Sequence, residues 1–228
     1  GSEMCIRDRG VRRGFQTNAR RGDSSDTAII AFNRTVVNYQ ALWYDGIAGV
    51  GVMYKVYGDY QSGNCYKVKL MLSLLGRPYE WHAVDILKGE TETPEFLAMN
   101  PNGKVPVLQL EDGSYLWESN AILNYLADGS EFLPAEPRLR TQVLQWQFFE
   151  QYSHEPYIAV ARFIQFYLGL PDDRVEEYRK LHKGGYKALR VMERQLQVTP
   201  YLVGDQYSIA DVALYAYTHV AQQGGFDL

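Results

Sequence analysis

The chain has 228 residues, 46% of them hydrophobic, enough for one large domain or two small ones with real cores. A formal charge of −4 and a pI of about 5.6 offer nucleic acid no basic surface, and no apolar run approaches the roughly 20 residues that span a bilayer. Two cysteines, Cys5 and Cys65, argue against a disulfide framework and for a reducing, cytoplasmic setting.

Residues 1–52 differ from the rest. They hold seven Arg, no Lys and five acids, a net of +2, whereas residues 53–228 carry a net of −6. "GSEMCIRDRGVRRG" has no helical or strand period, "TAIIAF" is too short for a signal-peptide core, and five acids count against a transit peptide. The segment reads as upstream or appended sequence with Met53 as the natural start, or as a disordered native extension. Either way it is expected to stand outside the fold.

"MYKVYGDY", residues 53–60, predicts a first strand, ending at Gly58-Asp59. A helix follows from about Asn64 to Leu75, with Val68, Leu72 and Leu75 spaced by four and three and Gly76 and Pro78 stopping it. "YEWHAVDI", 79–86, is a second strand, so a βαβ unit with a parallel pair emerges. "TPEFLAMNP", 93–101, predicts one short helix. "VPVLQL" and "SYLW" flank the turn "EDG" and read as an antiparallel hairpin, and "ESNAILNYLAD" as a helix capped by Ser119. "GSEFLPAEP", 129–137, is a linker. The remainder is helical, and "SIAD" at 208–211 has the pattern of a capping box. The fold class is therefore α/β plus all-α: an α/β domain over 53–128, a linker over 129–137 and a helical domain over 138–228. The stop at "GGFDL" just past a helix suggests a domain truncated at its C-terminus.

Several positions have the chemistry of a site, each beside a structural reading. Pro106 after Val105 opens a strand; a cis bond there leaves the Val105 N–H and C=O free to pair with an extended ligand, and an edge-strand proline is the plainer reading. Ser119 is a helix cap that, with Glu118 beside it, also makes a clamp for the carboxylate and ammonium of a free amino-acid headgroup. Ser62 is a cap or turn residue whose hydroxyl, aided by the helix dipole, can donate to a thiolate; the Asn64 amide can do the same. Cys65, alone on a packed helix, reads as buried and inert. The four histidines have no metal-ligand spacing.

The order of these signals is more telling than any one. "SGNCYKVKLMLSLLGRPYE", "FLAMNPNGKVPVLQLEDG", "LWESNAILNYLAD" and "YLVGDQYSIADVALYAY" resemble successive signatures of the glutathione transferase family over residues 54–228, most like bacterial soluble members that use serine or asparagine rather than tyrosine. The resemblance implies a thioredoxin-like N-terminal domain, an all-helical C-terminal domain and glutathione as co-substrate, without a metal. Val105 would pair its backbone with the cysteinyl part, Pro106 being cis. Glu118 and Ser119 would hold the γ-glutamyl headgroup, and Lys104 the glycyl carboxylate. Ser62 would activate the thiol, with Asn64 as its rival. Tyr152 and Tyr157, on the first long C-terminal helix, would line a pocket for a small hydrophobic electrophile, and Arg162 is taken as a solvated charge. Tyr57 comes too early for a catalytic tyrosine. The implied activity is conjugation of the glutathione thiolate to electrophiles, a detoxification chemistry, in a cytoplasmic homodimer with neither nucleic acid nor membrane as partner. The alternatives are a glutathione-dependent disulfide reductase and a non-catalytic binding module on the same fold.

Overall fold

The structure, a computed structural model, describes residues 27–41 and 53–228. The first of these stretches departs from expectation. Within the segment read as lying outside the fold, Ala28–Ala41 forms a helix, α1. The Ala28 and Ile29 N–H groups each donate to the Glu193 carboxylate at 3.0 Å, so an acid from far along the chain supplies the missing cap at the positive end of the helix. Ile29 and Phe32, three apart and so on one helical face, are buried, Phe32 edge-on to Tyr215. The rest of residues 1–52 lies outside the described residues.

The α/β half follows the sequence closely. β1 (Tyr54–Gly58), α2 (Gly63–Leu74) and β2 (Tyr79–Ala83) make the parallel unit; α3 (Pro94–Met99) leads into the β3 (Val107–Gln109) and β4 (Tyr115–Trp117) hairpin; α4 (Ser119–Ala127) closes it. The sheet order is β2-β1-β3-β4, with β1–β2 parallel and the other pairs antiparallel. This is a thioredoxin-like arrangement. α2 is not a one-sided amphipathic helix. It packs on both α4 and α8, and its buried residues lie on several faces, Lys67 among them.

The helical half holds α5 (Pro137–Phe149), α6 (Glu155–Arg162), α7 (Val175–Leu196) and α8 (Ile209–Thr218). α5 and α6 form one rod interrupted by a π-helical turn, Glu150–His154. Pro156 accounts for it: the ring has no N–H for the carbonyl four residues back and crowds that turn, so the helix widens locally. α8 is buried along its whole length. Its capping box is complete, Asp211 accepting from the Leu202 and Ser208 N–H groups at 2.8 Å each and from Ser208 Oγ at 3.0 Å. Burial pushes the Asp211 carboxyl up to about 6, partly offset by those donors. The linker is fastened to the same helix end: Phe132 and Leu133 are buried, and the Ile209 N–H donates to the Phe132 carbonyl at 2.9 Å. One apolar core runs from Val56 and Val68 through Ile122 to Ile158 and Leu214, across both halves.

Candidate active site

The site begins where α2 does. Ser62 is the cap: its Oγ accepts from the Cys65 N–H at 3.3 Å. Gly63 follows because nothing larger fits; a Cβ there would stand 2.5 Å from the Tyr217 ring. The Tyr217 hydroxyl in turn accepts from the Asn64 N–H at 3.3 Å, satisfying one of the helix's free first-turn donors. The loop before α2 is tied to the helical half. Arg162 Nη1 donates to the Gln61 carbonyl and its Nε to Gln223 Oε1, both at 2.7 Å, and the Tyr167 hydroxyl donates to Asp59 Oδ1 at 3.2 Å. Arg162 is thus buried and bridging, which corrects its reading as a solvated charge.

The second wall comes from the loop before β3. Asn100 organises it, its Nδ2 donating to the Lys104 carbonyl at 2.7 Å and its Oδ1 accepting from the Asn102 N–H at 3.0 Å. The Val105–Pro106 peptide is cis. The ladder with β1 ends at the Tyr57–Val107 pair, so the Val105 backbone lies beyond it. At the far end of the hairpin Glu118 has φ 67°, a left-handed conformation uncommon for a residue with a side chain and the sort of strain that clusters at ligand sites. Glu118, not Ser119, occupies the N-cap position of α4, and it makes no side-chain capping bond. The expectation that Ser119 caps this helix is therefore corrected: it is the first helical residue, and its hydroxyl donates to Asn64 Oδ1 at 3.1 Å.

These walls enclose a cavity of about 210 Å³ lined by Asn64, Asn100, Lys104, Val105, Pro106, Glu118, Ser119, Gln151 and Glu155. Behind it lies a buried ion pair, Lys67 Nζ to Glu150 Oε2 at 2.8 Å, with neither side chain exposed. The same ammonium donates to Asn64 Oδ1 at 2.9 Å and to Ser119 Oγ at 3.3 Å. Burial, reinforced by the Glu150 charge, holds the Glu155 carboxyl above its ordinary range, while Lys67, the Asn64 amide and Lys104 pull it down. Burial drives the Cys65 thiol up to about 12, which leaves it a packed, unreactive group. Tyr57, its hydroxyl on Gln109 and its ring stacked on His82, contributes nothing to the cavity lining. Among the described residues no cluster of metal-binding side chains occurs, and no helix is long and apolar enough to cross a membrane.

Six of the residues singled out in the sequence therefore meet at one cavity: Asn64, Lys104, Val105, Pro106, Glu118 and Ser119. Ser62 stands just outside the lining, at the cap. Tyr152 and Tyr157, expected to line a separate pocket for the electrophile, are not among the residues of this cavity. Tyr152, within the π turn, is 86% exposed, and the Tyr157 ring packs on Gly184 of α7. A larger cavity, of about 420 Å³ between α5 and α7, contains none of these residues. Sequence reasoning missed Lys67, Asn100, Glu150, Gln151 and Glu155. The signals were there: Lys67 is three residues after Asn64 on one helix face, and Pro156 marks the break beside which Glu150, Gln151 and Glu155 sit.

The sheet with its cis-proline and the helical half welded to it define a two-domain, thioredoxin-like class with a polar cleft beside α2. Residues 61–128 match the N-terminal domain of glutathione S-transferase, and residues 150–228 match its C-terminal domain. A solved glutathione S-transferase from Pseudomonas fluorescens is 80% identical, with a TM-score of 0.76, over 77% of this chain and 87% of that one. A solved glutathione transferase from Pseudomonas putida, with one glutathione disulfide bound per subunit, is 28% identical with a TM-score of 0.65, over 84% of this chain and 81% of that one. A glutathione S-transferase domain-containing protein of Dictyostelium discoideum is 33% identical over 161 residues; this chain spans 61% of its length, the match covering 66% of this chain. The chain belongs to the glutathione transferase family.

Proposed function

We propose that this chain is a glutathione transferase that binds glutathione in the cleft at Pro106 and adds its thiolate to small hydrophobic electrophiles. The observation that carries this is the orientation of Asn64. Its Oδ1 receives two donors, Lys67 Nζ and Ser119 Oγ, and an ammonium can only donate, so the atom it meets is the oxygen. The amide NH2 is then the part of Asn64 turned to the cavity, where one proton meets the Glu155 carboxylate and the other is left for a ligand. Aimed at a sulfur, it stabilises the anion over the thiol. Asn64 is accordingly assigned the activating role, and Ser62 the support of the helix end from which Asn64 projects.

Glutathione would lie with its cysteinyl backbone against Val105 in the manner of an added strand. Glu118 would meet the γ-glutamyl ammonium, the first-turn N–H groups of α4 beginning at Ser119 its carboxylate, and Lys104 the glycyl carboxylate. The bound disulfide in the Pseudomonas putida relative favours a second reading, reduction of mixed disulfides with two glutathione molecules and no protein thiol, compatible with an inert Cys65. A reducing cytoplasmic setting suits both. Two copies would pair through the exposed apolar groups Trp117, Tyr125, Leu144, Phe148 and Tyr152, the last three spaced by four along one helical rod.

The test is an ultraviolet titration of bound glutathione. A hydrogen bond to a charged acceptor contributes about 1.5–3 kcal/mol, so Asn64→Ala is expected to raise the bound thiol's pKa by about 1–2 units, with Ser62→Ala changing it less. No affinity for immobilised glutathione in the unsubstituted protein would point instead to a non-catalytic module. Turnover of a chlorinated aromatic against a mixed disulfide separates the two enzymatic readings.

A further inference from the structure

Lys67 is a charged side chain with no exposed surface, on a helix whose other buried residues are mostly apolar. An ammonium has three protons and no lone pair, and it faces three acceptors here: Glu150 Oε2, Asn64 Oδ1 and Ser119 Oγ. Each contact constrains something else. Asn64 cannot flip, because that would turn its NH2 onto the ammonium. Ser119 offers one lone pair to Lys67 and its single proton to Asn64, so only its backbone N–H remains to donate to a ligand. Glu150 belongs to the helical half and is held by Asn120 Nδ2 at 3.0 Å and Gln151 Nε2 at 2.8 Å.

We infer that Lys67 is a positioning residue for both ends of bound glutathione, fixing the Asn64 amide toward the sulfur and the start of α4 toward the γ-glutamyl carboxylate, with Glu150 holding the ammonium in place from the helical domain. This rests on the glutathione reading given above. The other charged or titratable groups around the ammonium are Glu155 and His154 on the α5–α6 rod, Tyr217 on α8, whose ring lies 6.0 Å from Nζ, and Lys104 across the cavity. Among these only Lys67 bonds to both subsites. One cation behind both ends couples them: its loss is expected to weaken headgroup binding and thiol ionisation together.

Lys67→Met alone would strand the Glu150 carboxylate in the core, so the decisive protein is Lys67→Met/Glu150→Gln, which removes the pair and keeps the Asn120 contact an acceptor. Two quantities are read: the pKa of the bound glutathione thiol, and the Kd of S-methylglutathione, which keeps the headgroup and lacks the thiol. The expected result is a thiolate fraction about tenfold lower at neutral pH and an S-methylglutathione Kd raised at least threefold, in a variant that still unfolds cooperatively. In an Asn64→Ala background the same pair of changes should add nothing to the thiol shift, as it must if Lys67 acts through that amide. A folded pair variant with both quantities unchanged, or a full further shift in the Asn64→Ala background, overturns the inference. Glu150→Gln alone provides a second variant, with the same two changes expected at smaller size. An ordinary thiol pKa in the unsubstituted protein would sink the functional reading instead.

Discussion

Gly63→Ala is a one-carbon change at the mouth of the site, and its cost can be worked from contacts. The added Cβ would stand 2.5, 2.6 and 2.8 Å from three carbons of the Tyr217 ring, each well inside van der Waals contact. The ring cannot swing freely, because Tyr217 is buried on a helix that is itself buried throughout. Overpacking of this kind costs about 1–3 kcal/mol, and alanine recovers up to about 1 kcal/mol of helix propensity over glycine. Contacts this short put the overpacking at the upper part of that range, about 2–3 kcal/mol, so the net is a loss of about 1–2 kcal/mol, or about 2–8 °C in Tm for a chain of this size. Relief of the clash must also draw the Tyr217 hydroxyl off the Asn64 N–H, a bond already at 3.3 Å. Glutathione-dependent turnover should therefore fall along with the melting temperature. Circular dichroism melts and a conjugation assay on the same preparation check both. Tyr217→Leu, which removes the ring, should make the second substitution cheaper in the double variant than in isolation. A Gly63→Ala protein with unchanged Tm and turnover would refute the argument.

Three further outcomes are expected. His154 is fully buried, its Nε2 2.9 Å from Thr218 Oγ1, and desolvation lowers its pKa to about 4 from 6.5. The unfolded chain thus takes up that proton first, and the stability held above pH 6.5 is lost as pH falls toward 4, by up to about 3 kcal/mol. Asp211, raised to about 6, acts in the opposite direction between pH 6 and 4. Urea unfolding at pH 7 and pH 4.5 should show a smaller acid-side loss for His154→Gln than for the unsubstituted protein; an equal or larger loss would count against the assignment. In a Cys5→Ser background, Cys65 should not react with an aromatic disulfide reagent until denaturant is added; prompt labelling of the native protein would contradict its burial. If two copies pair as proposed, the unsubstituted protein should sediment as a dimer and Phe148→Glu as a monomer; a monomer in both, or a dimer in both, would count against the proposed pairing surface.

Much of the α/β half was legible because its signals are local. Strand alternation, Gly76 and Pro78 after α2 and the short "EDG" turn depend on neighbours in sequence. The cleft was half legible for the same reason, since Val105-Pro106 and Glu118-Ser119 carry their geometry in dipeptides. Other features depend on long-range encounters. α1 is capped by an acid more than 160 residues away. Lys67 is tolerated inside because Glu150 arrives from the other half. The π turn at Glu150–His154, ahead of Pro156, was not legible in the apolar pattern of the first long C-terminal helix. Arg162 looked solvated for want of any local partner; its acceptors are on Gln61 and Gln223.

The fastening of the strand-rich half to the helical rods leaves little that could be cut away. Since α2 packs against both α4 and α8, severing the chain near Gly129 would bare a broad greasy face on either fragment. Calorimetry should register a lone endotherm for the intact molecule, and fragments divided there should clump until mixed.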